Sequence, residues 1–152
     1  MNWNIQHRKQ DKHFACGATC YSMLFNIDEK QARKECETKR TGTATHNVIK
    51  ALQKRGIPFI RVYLGNRFAS VQTQIKLLSR EYPLYISGHY TSNCDKGRNS
   101  HRHHAILAWK ERLFDPSEEM ECPVNCYNHV FNKDLTIKEI LIVGINKNRD
   151  MV

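Results

Sequence analysis

The residue of this sequence best suited to covalent chemistry is Cys16, which opens the run Cys16-Gly17-Ala18-Thr19-Cys20-Tyr21. Ala18, Tyr21, Leu24 and Phe25 recur at helical spacing, so Cys16 falls in the first turn of a helix. A thiol attacks as its thiolate, and the unpaired N–H groups at a helix start favour that negative charge. Gly17 permits close approach of a substrate backbone, and the N–H of Cys16 can donate to a developing oxyanion. Gln10, six residues upstream, carries an amide suited to be a second donor.

A nucleophilic thiol also needs a base within hydrogen-bond reach and a group that orients the base. His103 and His104 open the apolar run Ala105-Ile106-Leu107-Ala108-Trp109, and either could present an imidazole at a sheet end. A three-residue turn, 110–112, leads into Leu113-Phe114-Asp115-Pro116. Such a hairpin returns Asp115 to the start of its first strand, where a carboxylate can fix a histidine tautomer. Neighbouring residues of a strand face opposite ways, so one of the two histidines reaches Cys16 and the other does not.

Each of these residues also has a plainer reading. Cys16 can be a small core residue, His104 a satisfied strand histidine, Asp115 the start of an Asp-Pro turn, and Gln10 a surface amide. The Cys16/Cys20 and Cys122/Cys126 pairs raise structural zinc, but their three-residue gap is not the usual knuckle. His101, His103 and His104 with Cys94 are a second metal alternative. Cys20, Cys36, Cys122 and Cys126 read as structural.

The elements that must position these groups follow from periodicity and turn residues. After the helix over 15–26, with Asn26 as its stop, a second helix spans 28–37 with Asp28 as N-cap. A loop at Thr41-Gly42-Thr43-Ala44-Thr45 precedes a third helix, capped by Thr45 and ended by Gly56. A strand over 57–64 and a helix over 68–80, with Val71, Ile75, Leu77 and Leu78 inward, come next. Short strands follow at 84–87, 103–109, 112–114 and 139–146, and 90–102 reads as a polar loop. Helices first and strands second predict an α+β fold rather than alternating βαβ units.

The 152 residues suit one domain, 1–152, around one core. No stretch is apolar for the roughly 18 residues that a membrane span requires, and the polar N-terminus lacks a secretory apolar segment. The expectation is a cytoplasmic protein with its cysteines reduced. The net charge of +9 comes from basic residues scattered along the chain, which argues against nucleic acid as the main partner. An acidic protein partner accounts for the same charge.

Gln10…Cys16-Gly17-Ala18, His104-Ala105-Ile106-Leu107-Ala108 and Asp115-Pro116 together resemble the papain-like cysteine peptidases. The most similar group is the bacteriocin-processing family that removes double-glycine leaders. The Gly-Thr segment at 41–45 and the helix ending at Gly56 fit the same pattern, so the resemblance covers roughly residues 6–120. It departs at Ala18, where the family usually has Pro, and in the 11-residue step from His104 to Asp115, shorter than usual.

The resemblance implies a papain-like fold with N-terminal helices against a C-terminal antiparallel sheet. It implies a peptidase acting on a protein or peptide without cofactor or metal, with Cys16 as nucleophile, His104 as base, Asp115 as orienter and Gln10 as oxyanion donor. It favours His104 over His103 because the family's histidine directly precedes an apolar run. A related thiol deamidase or transglutaminase would use the same triad. From other classes stand a basic zinc-binding protein contacting nucleic acid or an acidic partner, and a degenerate peptidase fold kept as a peptide-binding module.

Overall fold

A computed structural model describes residues 1–90, 103–131 and 133–145. Its elements are α1 (Cys16–Phe25), α2 (Glu29–Glu35), α3 (Thr45–Lys54), β1 (Phe59–Tyr63), α4 (Phe68–Ser79), β2 (Leu84–Tyr90), β3 (His103–Trp109), β4 (Arg112–Phe114), β5 (Cys122–Pro123), α5 (Tyr127–Phe131) and β6 (Leu135–Val143). The strands form one antiparallel sheet in the order β1-β6-β2-β3-β4-β5. No helix among the described residues is long and apolar enough to cross a membrane.

Alternation along the strands builds a core on each face. Tyr85, Ala105, Leu107, Leu141 and Val143 pack under α1–α3, while Leu84, Ile86, Ile106, Ile140 and Ile142 pack with α4 and α5. Every residue of α1 from Cys16 to Leu24 is buried, as expected of a helix enclosed by its neighbours. Tyr21, Glu35 and Arg55 tie the helical layer together: Arg55 Nε donates to the Tyr21 hydroxyl at 2.7 Å and to Glu35 Oε1 at 2.9 Å, and the Tyr21 hydroxyl donates to Glu35 Oε1 at 2.8 Å.

Asp28 caps α2, its carboxylate accepting from the Gln31 N–H at 2.7 Å. Asn26 ends α1 with φ 52°, and Gly56 follows α3 with φ 70°. Thr45 is not a cap. Ala44 holds that position without a side-chain bond, and the Thr45 hydroxyl points to Ser87 Oγ at 3.4 Å. In α4, Leu77 and Leu78 face solvent, while Phe68, Ile75 and Ser79 are buried. The β3–β4 turn has two residues, Lys110 and Glu111, both with positive φ as a tight hairpin turn requires.

The last strand begins at Leu135 rather than Glu139, because a bulge interrupts its alternation. Ser87 pairs with Glu139 but Gly88 pairs with Ile137, leaving Lys138 as the extra residue. Gly88 is required there: a Cβ would stand 2.0 Å from the Thr136 carbonyl oxygen. On its other side Gly88 pairs with His104, so the bulge supports the strand end that carries this histidine.

Candidate active site

Cys16 is the first residue of α1, after Ala15 at the N-cap, and no side chain caps that end. The free first turn therefore faces the thiol. Burial alone would push the Cys16 thiol up; hydrogen bonding and charge from His104 more than offset it, with the backbone N–H groups of Ala105 and Gly17 adding to the effect. The net result is a thiol held below its ordinary range, at a residue only 6% exposed.

His104 sits at the start of β3, and its Nε2 lies 2.8 Å from Asp115 Oδ1, just past the end of β4. Nδ1 is then the ring nitrogen left for Cys16. Burial would disfavour the imidazolium, but the Asp115 carboxylate and the Cys16 thiolate outweigh it and raise His104 to about 9. Asp115 is fully buried. Burial opposes its charge, but His104, Lys133 and Ser117 hold it well below the usual carboxylate range. The structure brings Cys16, His104 and Asp115 together as one connected, buried set.

Several residues that support this set were not legible in the sequence. Asp115 Oδ1 also accepts from the Ser117 N–H at 2.9 Å and the Ser117 hydroxyl at 2.6 Å. Oδ2 accepts from the Tyr127 hydroxyl at 2.8 Å and from Lys133 Nζ at 3.2 Å. Tyr90 stacks on the His104 ring, centroids 4.7 Å apart. The sequence after Pro116 carries no pattern that names these partners.

Gln10 lies in the segment before α1. Its backbone N–H donates to the Pro116 carbonyl at 2.7 Å, tying the segment to the residue after Asp115. Its Nε2 donates to the Lys12 carbonyl at 3.1 Å, which uses one amide hydrogen; the second has no partner among the described residues. Gly17 has a different role from the one expected. A Cβ there would stand 2.7 Å from the Tyr85 hydroxyl and 2.8 Å from Thr43 Cβ, so the glycine admits the protein's own side chains rather than a substrate.

His103 is exposed and lines a cleft with Thr43, away from the Asp115 carboxylate. Desolvation and the charges of His104 and Lys138 keep it below the usual histidine range. The described cysteines, Cys16, Cys20, Cys36, Cys122 and Cys126, are unbridged. Among the described residues no three His, Cys, Asp or Glu side chains gather as metal ligands, and Cys94 and His101 of the metal alternative lie outside them.

No protein-family model matches the sequence, and no curated protein does. Solved structures do. A double-glycine motif protease from an AMS/PCAT transporter, determined in complex with the leader peptide, superposes with a TM-score of 0.61 at 17% identity, covering 94% of this chain and 93% of that one. The peptidase domain of Streptococcus ComA, a bifunctional ABC transporter of a quorum-sensing pathway, gives a TM-score of 0.61 at 10% identity, covering 94% of this chain and 100% of that one. At such identities the likeness speaks for the fold, and the chain has the α+β fold of the papain-like, double-glycine peptidase domains.

Proposed function

We propose that the protein is a cysteine peptidase that cleaves a peptide or isopeptide bond through Cys16, His104 and Asp115. The observation that carries this reading is the buried relay in which one imidazole is engaged by a helix-start thiol and, at 2.8 Å, by a carboxylate. The Cys16 thiolate attacks the carbonyl carbon; a C–S bond forms and the carbonyl electron pair moves to oxygen. The Cys16 N–H and the second amide hydrogen of Gln10 are the donors for that oxyanion. As the tetrahedral centre collapses, the C–N bond breaks and the His104 imidazolium passes its proton to the leaving amine. Water then attacks the thioester, giving its proton to His104 and releasing acid and thiolate. Asp115 keeps the ring oriented throughout.

An amine in place of water at the second step would make the same thioester a transglutaminase intermediate, so the substrate assay must follow both products. The thiol chemistry is tested by alkylating all six cysteines with iodoacetamide from pH 4 to 9 and mapping the sites by mass spectrometry. Cys16 is expected to react well below the reference thiol pKa of about 8.5, and to lose that reactivity in His104→Ala. Reaction of Cys16 no faster than the other cysteines would overturn the reading.

A further inference from the structure

A cleft of about 390 Å³ opens between the loop that leads into α3, the middle of β1 and β6, and the start of β3. None of Cys16, His104, Asp115 and Gln10 lines the cleft itself. It adjoins the start of α1 through Thr43, which packs against Gly17, next to Cys16, so a peptide held across the thiol can extend into it.

The charges lining the cleft do not cancel. Its single acid, Glu139, is buried and engaged by Arg61, whose Nε donates to Oε2 at 2.6 Å, so that pair is internally neutral. Lys138, the extra residue of the β6 bulge, is exposed on the rim and makes no ion pair among the described residues. His46 and His103 are the other titratable groups of the lining. The walls add the Thr41 side chain, while the hydroxyls of Thr43 and Thr45 turn to Thr38 Oγ1 at 2.8 Å and Ser87 Oγ at 3.4 Å, and the N-terminus of α3 meets the cleft with neither a side-chain cap nor an acid in its first turn. An ammonium with no ion pair among the described residues and a helix start without a side-chain cap form a surface for a carboxylate.

We propose that this cleft selects substrates carrying an aspartate or glutamate side chain within a few residues of the bond cleaved, with Lys138 as the residue that sets the preference. The inference rests on the peptidase reading and names the substrate class for the same site. Lys138 lies outside the catalytic set and its side chain is exposed, so substitution there leaves folding and Cys16 alkylation unchanged.

The test is to digest a proteome-derived peptide library with the wild type, with Lys138→Glu and with Cys16→Ala, and to sequence the new termini. Acidic residues are expected to be enriched about threefold to fivefold at one position near the cut, as suits a partly exposed ion pair of up to about 1 kcal/mol. The enrichment should shrink at 0.5 M salt and give way to Lys and Arg in Lys138→Glu. Cys16-dependent cleavage without acidic enrichment, or with enrichment that Lys138→Glu leaves intact, overturns the cleft assignment alone. No Cys16-dependent cleavage at all overturns the peptidase reading and this inference with it.

Discussion

Lys133 Nζ lies 3.2 Å from Asp115 Oδ2, while His104 occupies Oδ1 of the same carboxylate. One buried anion thus faces two cations, and Lys133 is itself shared with Glu118 at 2.6 Å and Ser117 Oγ at 2.7 Å. Lys133 both anchors Asp115 and draws on part of the charge that stabilises the His104 imidazolium. Replacing it by Met removes a positive charge near that imidazolium, which raises the His104 pKa. The alkaline limb of the peptidase pH–rate profile should move up by roughly half a unit, and Lys133→Arg should restore it. A lowered rate with both limbs unmoved would reduce Lys133 to a purely structural anchor.

The pH profile itself follows from the pair. Cys16 must be ionised and His104 protonated, so activity rises through the thiol pKa, held below its ordinary range, and falls through that of His104 at about 9. These limbs belong to the coupled pair rather than to either residue. Asp115→Asn removes the charge that lifts His104, so the alkaline limb should move down toward the free imidazole value near 6.5. The rate should fall about a hundredfold or more. An alkaline limb that stays near 9 in Asp115→Asn would show that the carboxylate does not control this imidazole.

The α+β architecture was legible because it depends on short-range pattern, as does the placing of Cys16 at a helix start and of Asp115 after a hairpin step; the residues alone left His103 and His104 level, and only the family resemblance favoured His104. What the sequence hid depends on contacts between distant segments. The Lys133 and Tyr127 donors reach Asp115 across 18 and 12 residues, from a stretch whose composition matches no simple period. The strand around Lys138 was hidden for a local reason, since a bulge breaks the two-residue alternation by which strands are recognised. Leu77 and Leu78 misled in the opposite sense: they fit a helical stripe but lie on the solvent side of α4.

His103 and His104 are adjacent in sequence but stand in opposite environments, one exposed and one buried. Since His104 alone of the two bonds Asp115, His103→Ala should leave the alkylation of Cys16 at pH 6 within about twofold of wild type. His104→Ala should bring it to the rate of an ordinary buried thiol. Loss of low-pH reactivity in His103→Ala would exchange the two assignments.

Gly17→Ala probes the packing behind the nucleophile. The new Cβ would meet the Tyr85 hydroxyl at 2.7 Å and Thr43 Cβ at 2.8 Å, so it should cost about 1–3 kcal/mol in urea denaturation. The Tyr85 hydroxyl is buried without a hydrogen-bond partner among the described residues. Tyr85→Phe should therefore be near neutral alone and should recover part of the loss in the double variant. Strict additivity of the two changes would mean that the hydroxyl does not limit the space at Gly17.

Gly88→Ala tests the bulge more severely, because the obstacle is main chain. A Cβ at 2.0 Å from the Thr136 carbonyl oxygen, with the Thr136 carbonyl carbon at 2.9 Å, cannot be relieved by a rotamer change. Either β6 separates from β2 or the Gly88 end of β2 shifts, and that end pairs with His104. The expected cost is at least about 3 kcal/mol, larger than for Gly17→Ala. Whatever folded protein remains should alkylate Cys16 more slowly at pH 6, since His104 moves with the strand end. A Gly88→Ala protein with a wild-type urea midpoint and wild-type Cys16 reactivity would show that the bulge neither needs this glycine nor positions the imidazole.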